Sequence, residues 1–185
     1  MFRAALTTIG GATALAAVLA LSAPPVAGLE GVAAHAATCR YADGKAGEIT
    51  RRQARDAIVC LINGRRDARG KRRLDAHHAL HKAAGRHSRR MERSGCRSHR
   101  CPGERDLAGR VSATSYLPCS CSWGVGENIA WGSGERGTPR RIVKGWMGSA
   151  GHRANLLDGD FRHFGVGVAS NGDDAIYTAV FGYRR

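Results

Sequence analysis

Four polar residues stand where a titratable side chain is unusual. Glu127 follows Gly124-Val125-Gly126 and heads the otherwise apolar run that leads to Trp131. A carboxylate in such a run is stripped of water and needs a partner. His152 lies in Ser149-Ala150-Gly151-His152-Arg153, where small residues let backbone come close. His99 stands between Ser98 and Arg100 and is bracketed by Cys96 and Cys101, and His163 precedes the last alternating apolar segment. Two histidines and one carboxylate can bind a divalent metal such as zinc, or divide acid and base roles around a water. Glu127 with two of His99, His152 and His163 could thus act as catalytic residues, and the histidines as metal ligands.

Other polar residues are poorer candidates. His77 and His81 form an i, i+4 pair with His78 between them. This is half of a zinc-protease motif without its glutamate, and a solvated helix face is the simpler reading. His87 falls on an apolar stripe and reads as a satisfied core histidine. No Gly-x-Ser-x-Gly occurs, which removes a nucleophile-elbow hydrolase. The six cysteines (Cys39, Cys60, Cys96, Cys101, Cys119 and Cys121) show no Cys-x-x-Cys pair and are expected to be bridged, which excludes a thiol nucleophile.

Helices and strands must place these residues. Thr50 with Gln53 makes a capping box, and Ala54, Ala57, Ile58, Leu61 and Ile62 continue as a helical stripe ending near Gly64. Cys60 on this helix is expected to pair with Cys39, pinning an extended lead-in over residues 37–49. Asp75 is the expected cap of a second helix with Leu80, Ala84, His87 and Met91 on one face and Gly95 at its end. Residues 96–126 read as a cysteine-rich loop. A bridge within Cys119-Ser120-Cys121 would be strained, so Cys96 and Cys101 are expected to pair across to Cys119 and Cys121. Glu127–Trp131 reads as a short strand, and Thr138-Pro139 as the start of a helix that buries Ile142, Val143, Trp146 and Met147. Phe164, Val166 and Val168 alternate with small residues, Asn171-Gly172 turns the chain, and Ala175–Tyr183 returns as a strand. The class is α+β, helices packed on a sheet, in one domain over residues 50–185.

The N-terminus has the parts of a secretory signal peptide: Arg3, an uncharged apolar run from Ala4 to Ala27, and a small-x-small site at Ala34-His35-Ala36. A retained membrane anchor is the rival, but Gly10, Gly11, Pro24 and Pro25 interrupt or end the run. Residues 1–36 are thus expected to be removed, and the protein to be secreted. Formal net charge is +14, with arginine outnumbering lysine 25 to 4. The cluster Arg65, Arg66, Arg69, Lys71, Arg72 and Arg73 looks nucleic-acid binding, but an exported protein meets no nucleic acid. A solvated basic face, or contact with anionic wall polymers or lipid head groups, fits export better.

Taken together, the segments resemble the CAP superfamily (the SCP domain of cysteine-rich secretory proteins, antigen 5 and pathogenesis-related proteins), and its bacterial branch most. The matching pieces are Leu61-Ile62-Asn63 with Arg66 and Leu74, His87-Ser88 with Met91, Ser98-His99, and Gly126-Glu127-Asn128-Ile129-Ala130-Trp131-Gly132. They continue in Trp146 to Leu157 and in Phe161-Arg162 leading to Gly165-Val166-Gly167-Val168-Ala169, with Tyr177-Thr178 and Phe181-Gly182 behind. The ordered set spans about residues 50–183.

The resemblance implies a three-layer α-β-α sandwich with a central antiparallel sheet and a large cleft lined by two histidines and two acidic residues. His99, Glu127 and His152 match three of these, which makes Glu127, His99 and His152 the candidate catalytic residues if the protein is an enzyme, and His99 and His152 the candidate metal ligands. The position of the remaining acid is Ser149, as is usual in bacterial relatives, which weakens both metal affinity and two-carboxylate chemistry. The functions implied are a monomeric binding module for a lipid, sterol or peptide, a hydrolase using Glu127 as general base, or a basic protein facing the envelope or a host.

Overall fold

Helix α1 (Arg51–Asp67) starts at the expected capping box: the Gln53 N–H donates to the Thr50 hydroxyl at 3.2 Å, and the Thr50 N–H to the Gln53 side chain at 2.8 Å. It runs a turn past Gly64, because Asn63 and Arg66 are buried and tie its end to the chain around it. Asn63 exchanges two hydrogen bonds with the Leu74 backbone, and Arg66 donates to the carbonyls of Arg72, Leu156 and Asp158. Arg66 is thus an internal clamp and no part of the basic surface. The computed structural model describes residues 39–117 and 122–185. The leader over residues 1–36, and Cys119 and Cys121, lie outside them. Cys39 is bonded to Cys60 as expected.

Asp75 does not cap the second helix. It lies in a two-residue strand, β1 (Asp75–Ala76), where its N–H donates to the Arg162 carbonyl at 2.9 Å. His77 caps helix α2 (His78–Ser94) instead, its Nδ1 accepting the Ala79 N–H, and Gly95 closes the helix in the left-handed region. Residues 96–126 hold more structure than a loop. Cys96 is bonded to Cys101, correcting the expected pairing with Cys119 and Cys121: the turn between them returns the chain to a Cα–Cα distance of 5.9 Å. A six-residue helix, α3 (Leu107–Ser112), follows, capped by Asp106, and strand β2 (Trp123–Ser133) starts four residues before Glu127. Six residues are too few to show a helical period.

A 3₁₀ turn (Gly134–Gly137) leads to α4 (Pro139–Gly148), with Pro139 in its first turn and Trp146 buried, and then to α5 (Ala150–Leu157). Ser149 precedes α5 but makes no side-chain cap. The terminal hairpin is β3 (His163–Asn171) and β4 (Asp174–Arg184); Asn171 still pairs with Asp174, so the turn is Gly172-Asp173, one residue later than expected. The sheet order is β1-β3-β4-β2, antiparallel across its three long strands, with β1 parallel to β3.

Two layers of helix enclose this sheet. Phe164, Val166, Val168, Tyr177 and Phe181 face α1, α4 and α5 in the larger core. The alternate positions face α2 and α3, where Val180 packs on Leu80, Ala84 and Val111. The small residues between the β3 hydrophobes explain how α2 fits: a Cβ at Gly165 or Gly167 would overlap the backbone of Leu80 and His81 or of Ala84 and Gly85.

Gly167→Ala should therefore destabilise the protein by about 1–3 kcal/mol or more, because backbone and not a movable side chain stands in the way. Gly151→Ala, which meets nothing within 4 Å, should be neutral or slightly stabilising in the same denaturant titration. Stability should also fall with acidity. Burial, foremost, holds the pKa values of His77, His81, His152 and His163 below the ordinary 6.5. Such groups cost nothing while both states are neutral, and destabilise progressively as pH falls through 6.5 toward the lower folded value. Thermal melts should thus drop between about pH 7.5 and about pH 5.5. His81→Asn, whose side-chain oxygen can still accept the Val166 N–H, should flatten the slope; a flat wild-type profile would contradict the assignment.

Candidate functional site

The site is organised around Arg110, which α3 directs into the interior beside two carboxylates. Its Nη2 donates to Glu127 Oε2, its Nη1 donates to the His99 carbonyl at 2.6 Å, and Nη1 lies 3.5 Å from Glu104 Oε2. Glu127 is the buried acid the sequence points to, its side chain 3% exposed, whereas the His99 ring is 56% exposed. The two meet at 2.9 Å between His99 Nδ1 and Glu127 Oε1. An ionised carboxylate only accepts, so the Nδ1 proton faces Glu127 and the Nε2 lone pair faces outward. The Cys96–Cys101 bond and the Arg110 contact hold the loop that carries this histidine.

Behind Glu127 lies a part the sequence does not reveal. His87 is fully buried, and its Nδ1 lies 2.8 Å and 3.0 Å from the two Glu104 oxygens. Its Nε2 points toward Glu127 Oε1 at 3.9 Å and has no hydrogen-bond partner. His87 is thus a core histidine satisfied on one nitrogen only. Glu104, His87 and Arg110 join Glu127 in one buried network that meets the exposed His99 ring. No motif marks Glu104 or Arg110; His87 carried a helical-stripe signal that read only as core.

His152 stands in the opposite layer, tied to β2 through its backbone. Its carbonyl accepts from Asn128 Nδ2 at 3.0 Å, while Asn155 donates to the Glu127 carbonyl and to Asn128 Oδ1. Burial and then the charge of His99 hold the His152 pKa below its ordinary value. His163 is elsewhere, hydrogen-bonded to Tyr116 at 3.1 Å and edge-on to His77 at the β1 end of the sheet. His81 is not on a solvated face, since its Nδ1 accepts the Val166 N–H at 2.8 Å.

These residues do not fit a tight divalent-metal centre. His99 and His152 offer two nitrogens. Glu127 is already engaged by a guanidinium and an imidazole, and the Arg110 charge beside it opposes a second cation. Among the described residues no group of three or more His, Cys, Asp or Glu side chains is arranged to hold an ion.

The strand register places Trp123, Val125, Glu127, Ile129 and Trp131 on one face of β2. Among the described residues, Trp123 and Trp131 are the large hydrophobic side chains left exposed, at 43% and 51%.

Comparison with known proteins agrees with this architecture. The profile of the CAP family, described as the cysteine-rich secretory protein family, matches residues 59–183. The Bacillus subtilis (strain 168) protein YkwD is 33% identical over 129 residues, which is 67% of this chain and 45% of YkwD. An extracellular SCP-domain protein of Bacillus anthracis str. Ames superposes with a TM-score of 0.60 at 26% identity, covering 72% of this chain and 43% of that one. An outer surface protein of Borrelia burgdorferi shares the fold, with a TM-score of 0.64 at 20% identity, over 74% of this chain and 97% of its own. The chain thus spans less than half the length of the two Bacillus relatives. With a matching profile across most of the described residues and a relative 33% identical over two thirds of its length, the chain belongs to the CAP (SCP-domain) family.

Proposed function

We propose that this CAP domain works outside the cell as a binding module, holding a lipid, a sterol or an extended peptide by the exposed Trp123 and Trp131 toward the two ends of β2, with Glu127 buried between them. The exposed tryptophan pair carries the reading. Other aromatic side chains of the sheet, such as Phe164, Tyr177 and Phe181, are buried, while these two stand in water four residues to either side of Glu127. They lie roughly 26 Å apart along the strand, a spacing that suits an extended, partly apolar ligand over a compact polar one. His99, held against Glu127, offers a polar contact to a head group or peptide carbonyl. The two disulfides suit an oxidising compartment. The relatives described as extracellular and outer-surface proteins support the same location. The +14 charge favours residence near anionic wall polymers or membrane surfaces.

A second reading, a hydrolase, draws on the His99–Glu127 pair. A buried carboxylate that fixes the tautomer of an exposed imidazole is the base–orienter half of an acid–base site. In this reading His99 would act as the base and Glu127, whose oxygens already accept from Arg110 and His99, as its orienter in place of the general-base role expected for it.

Trp131→Ala is expected to weaken binding of cholesterol or a fluorescent phospholipid about tenfold, with the melting temperature unchanged. Equal binding by wild type and variant would remove the β2 strip as the site. Glu127→Gln and His99→Ala separate the two readings. Binding should survive both, whereas any peptide or ester turnover should collapse in both; turnover unaffected by either would end the hydrolase reading. Native mass spectrometry with elemental analysis of the wild type and the His99→Ala/His152→Ala variant should show substoichiometric divalent metal in both. A full equivalent lost only in the variant would reinstate a metal-dependent site.

A further inference from the structure

The two outer edges of the sheet are finished differently. On β2 the outward carbonyls of Glu127 and Ile129 accept from Asn155 and from the Trp146 indole, so α5 and α4 cover that edge. On β3, β1 takes the Phe164 carbonyl, and His81 takes the Val166 N–H. Backbone groups on one edge of a strand recur every second residue. The next outward groups are therefore the N–H and C=O of Val168 and Ser170. No hydrogen bond to another element takes them up among the described residues.

This open edge forms the floor of a groove between α1 and α2. Arg51, Arg52 and Arg55 of α1 line one wall, and Arg89 of α2 the other, with Val166, Gly167 and Val168 beneath. Arg89 folds back over Gly85. No acidic side chain lines this stretch. Asp56 draws Arg52 and Arg55, at 3.9 Å and 3.6 Å, whereas Arg51 and Arg89 have no acidic partner among the described residues.

We propose that an extended acidic peptide adds to β3 here as a further strand, a site separate from the β2 strip. The backbone of Val168 and Ser170 supplies the ladder. A strand laid in the groove points successive side chains to opposite sheet faces. One face is walled by the α1 arginines and the other by Arg89. A run of consecutive Asp or Glu residues thus meets guanidinium groups on both walls, and alternating acidic and neutral residues meet them on one wall only.

The test uses an acetylated hexa-glutamate peptide, its analogue N-methylated at alternate residues, and inorganic polyphosphate, each titrated into the protein by calorimetry and amide NMR. Hexa-glutamate should bind, slow exchange of the Val168 and Ser170 amides, and bind about tenfold more weakly to Arg51→Ala/Arg89→Ala. N-methylation in the register that removes the edge-facing N–H groups should abolish binding. Polyphosphate and the N-methylated peptide binding as well as hexa-glutamate, without amide protection, would show a general polyanion surface and overturn strand addition. So would no binding at all. Lipid binding to Trp131→Ala reports on the β2 strip independently.

Discussion

The direct seat of α2 on β3 is the contact on which the rest of the molecule depends. At Gly165 and Gly167 nothing stands between helix backbone and strand backbone, and any Cβ there would lift the helix away. That approach lets His81 reach the Val166 amide and Ser88 reach the Thr178 hydroxyl at 2.9 Å. It also drives His87 and Met91 into the interior. Lifting the helix would separate His87 from the acid pair and open the layer that shields Glu127. The opposite layer is held more conventionally, by aromatic and aliphatic packing around Trp146, Phe164 and Phe181.

Within that frame the site is an electrostatic arrangement before it is a catalytic one. Two nearly buried carboxylates, Glu104 and Glu127, share one guanidinium, and each also faces an imidazole. Buried charges persist only when paired and hydrogen-bonded, and here the pairing links α2, α3, β2 and the disulfide-closed loop into one unit. The second carboxylate does not replace the acid that other branches of the family carry at the position of Ser149. Glu104 enters from the cysteine loop and faces His87. The consequence is a polar wall behind the exposed His99 ring, on a strand that also carries the exposed Trp123 and Trp131.

The contrast between the two sheet edges follows the same economy of contacts. Helices α4 and α5 lie over β2 and offer an indole and an amide to its outward carbonyls. Over β3 the chain provides a two-residue strand and one histidine, after which the edge runs open between arginines. Edges left open in natural sheets are commonly guarded by charge, and the arginines discourage pairing with another copy of this basic chain while leaving the groove receptive to acid.

The sequence by itself determined the two long helices, the proline-started helix and the terminal hairpin, and named three candidate site residues, for a local reason. Capping at Thr50, the proline start of α4, the alternation in β3 and the left-handed stop at Gly95 are all properties of a few adjacent residues. The resemblance, carried by an ordered set of short segments, then placed His99, Glu127 and His152 in a common site. What only the tertiary structure decided are the relations between distant side chains. Arg110 lies in a helix too short to show a period, and Glu104 in a loop without pattern, so nothing in the chain marks them as partners of Glu127. His87 is indistinguishable from a core residue until the other end of its ring is seen to face a carboxylate. The Cys96–Cys101 pairing, the displacement of the α2 cap from Asp75 to His77, and the burial of Arg66 inside an apparently basic run share one cause. Each depends on where a second segment lies in space, and the spacing of residues along one segment does not contain that information.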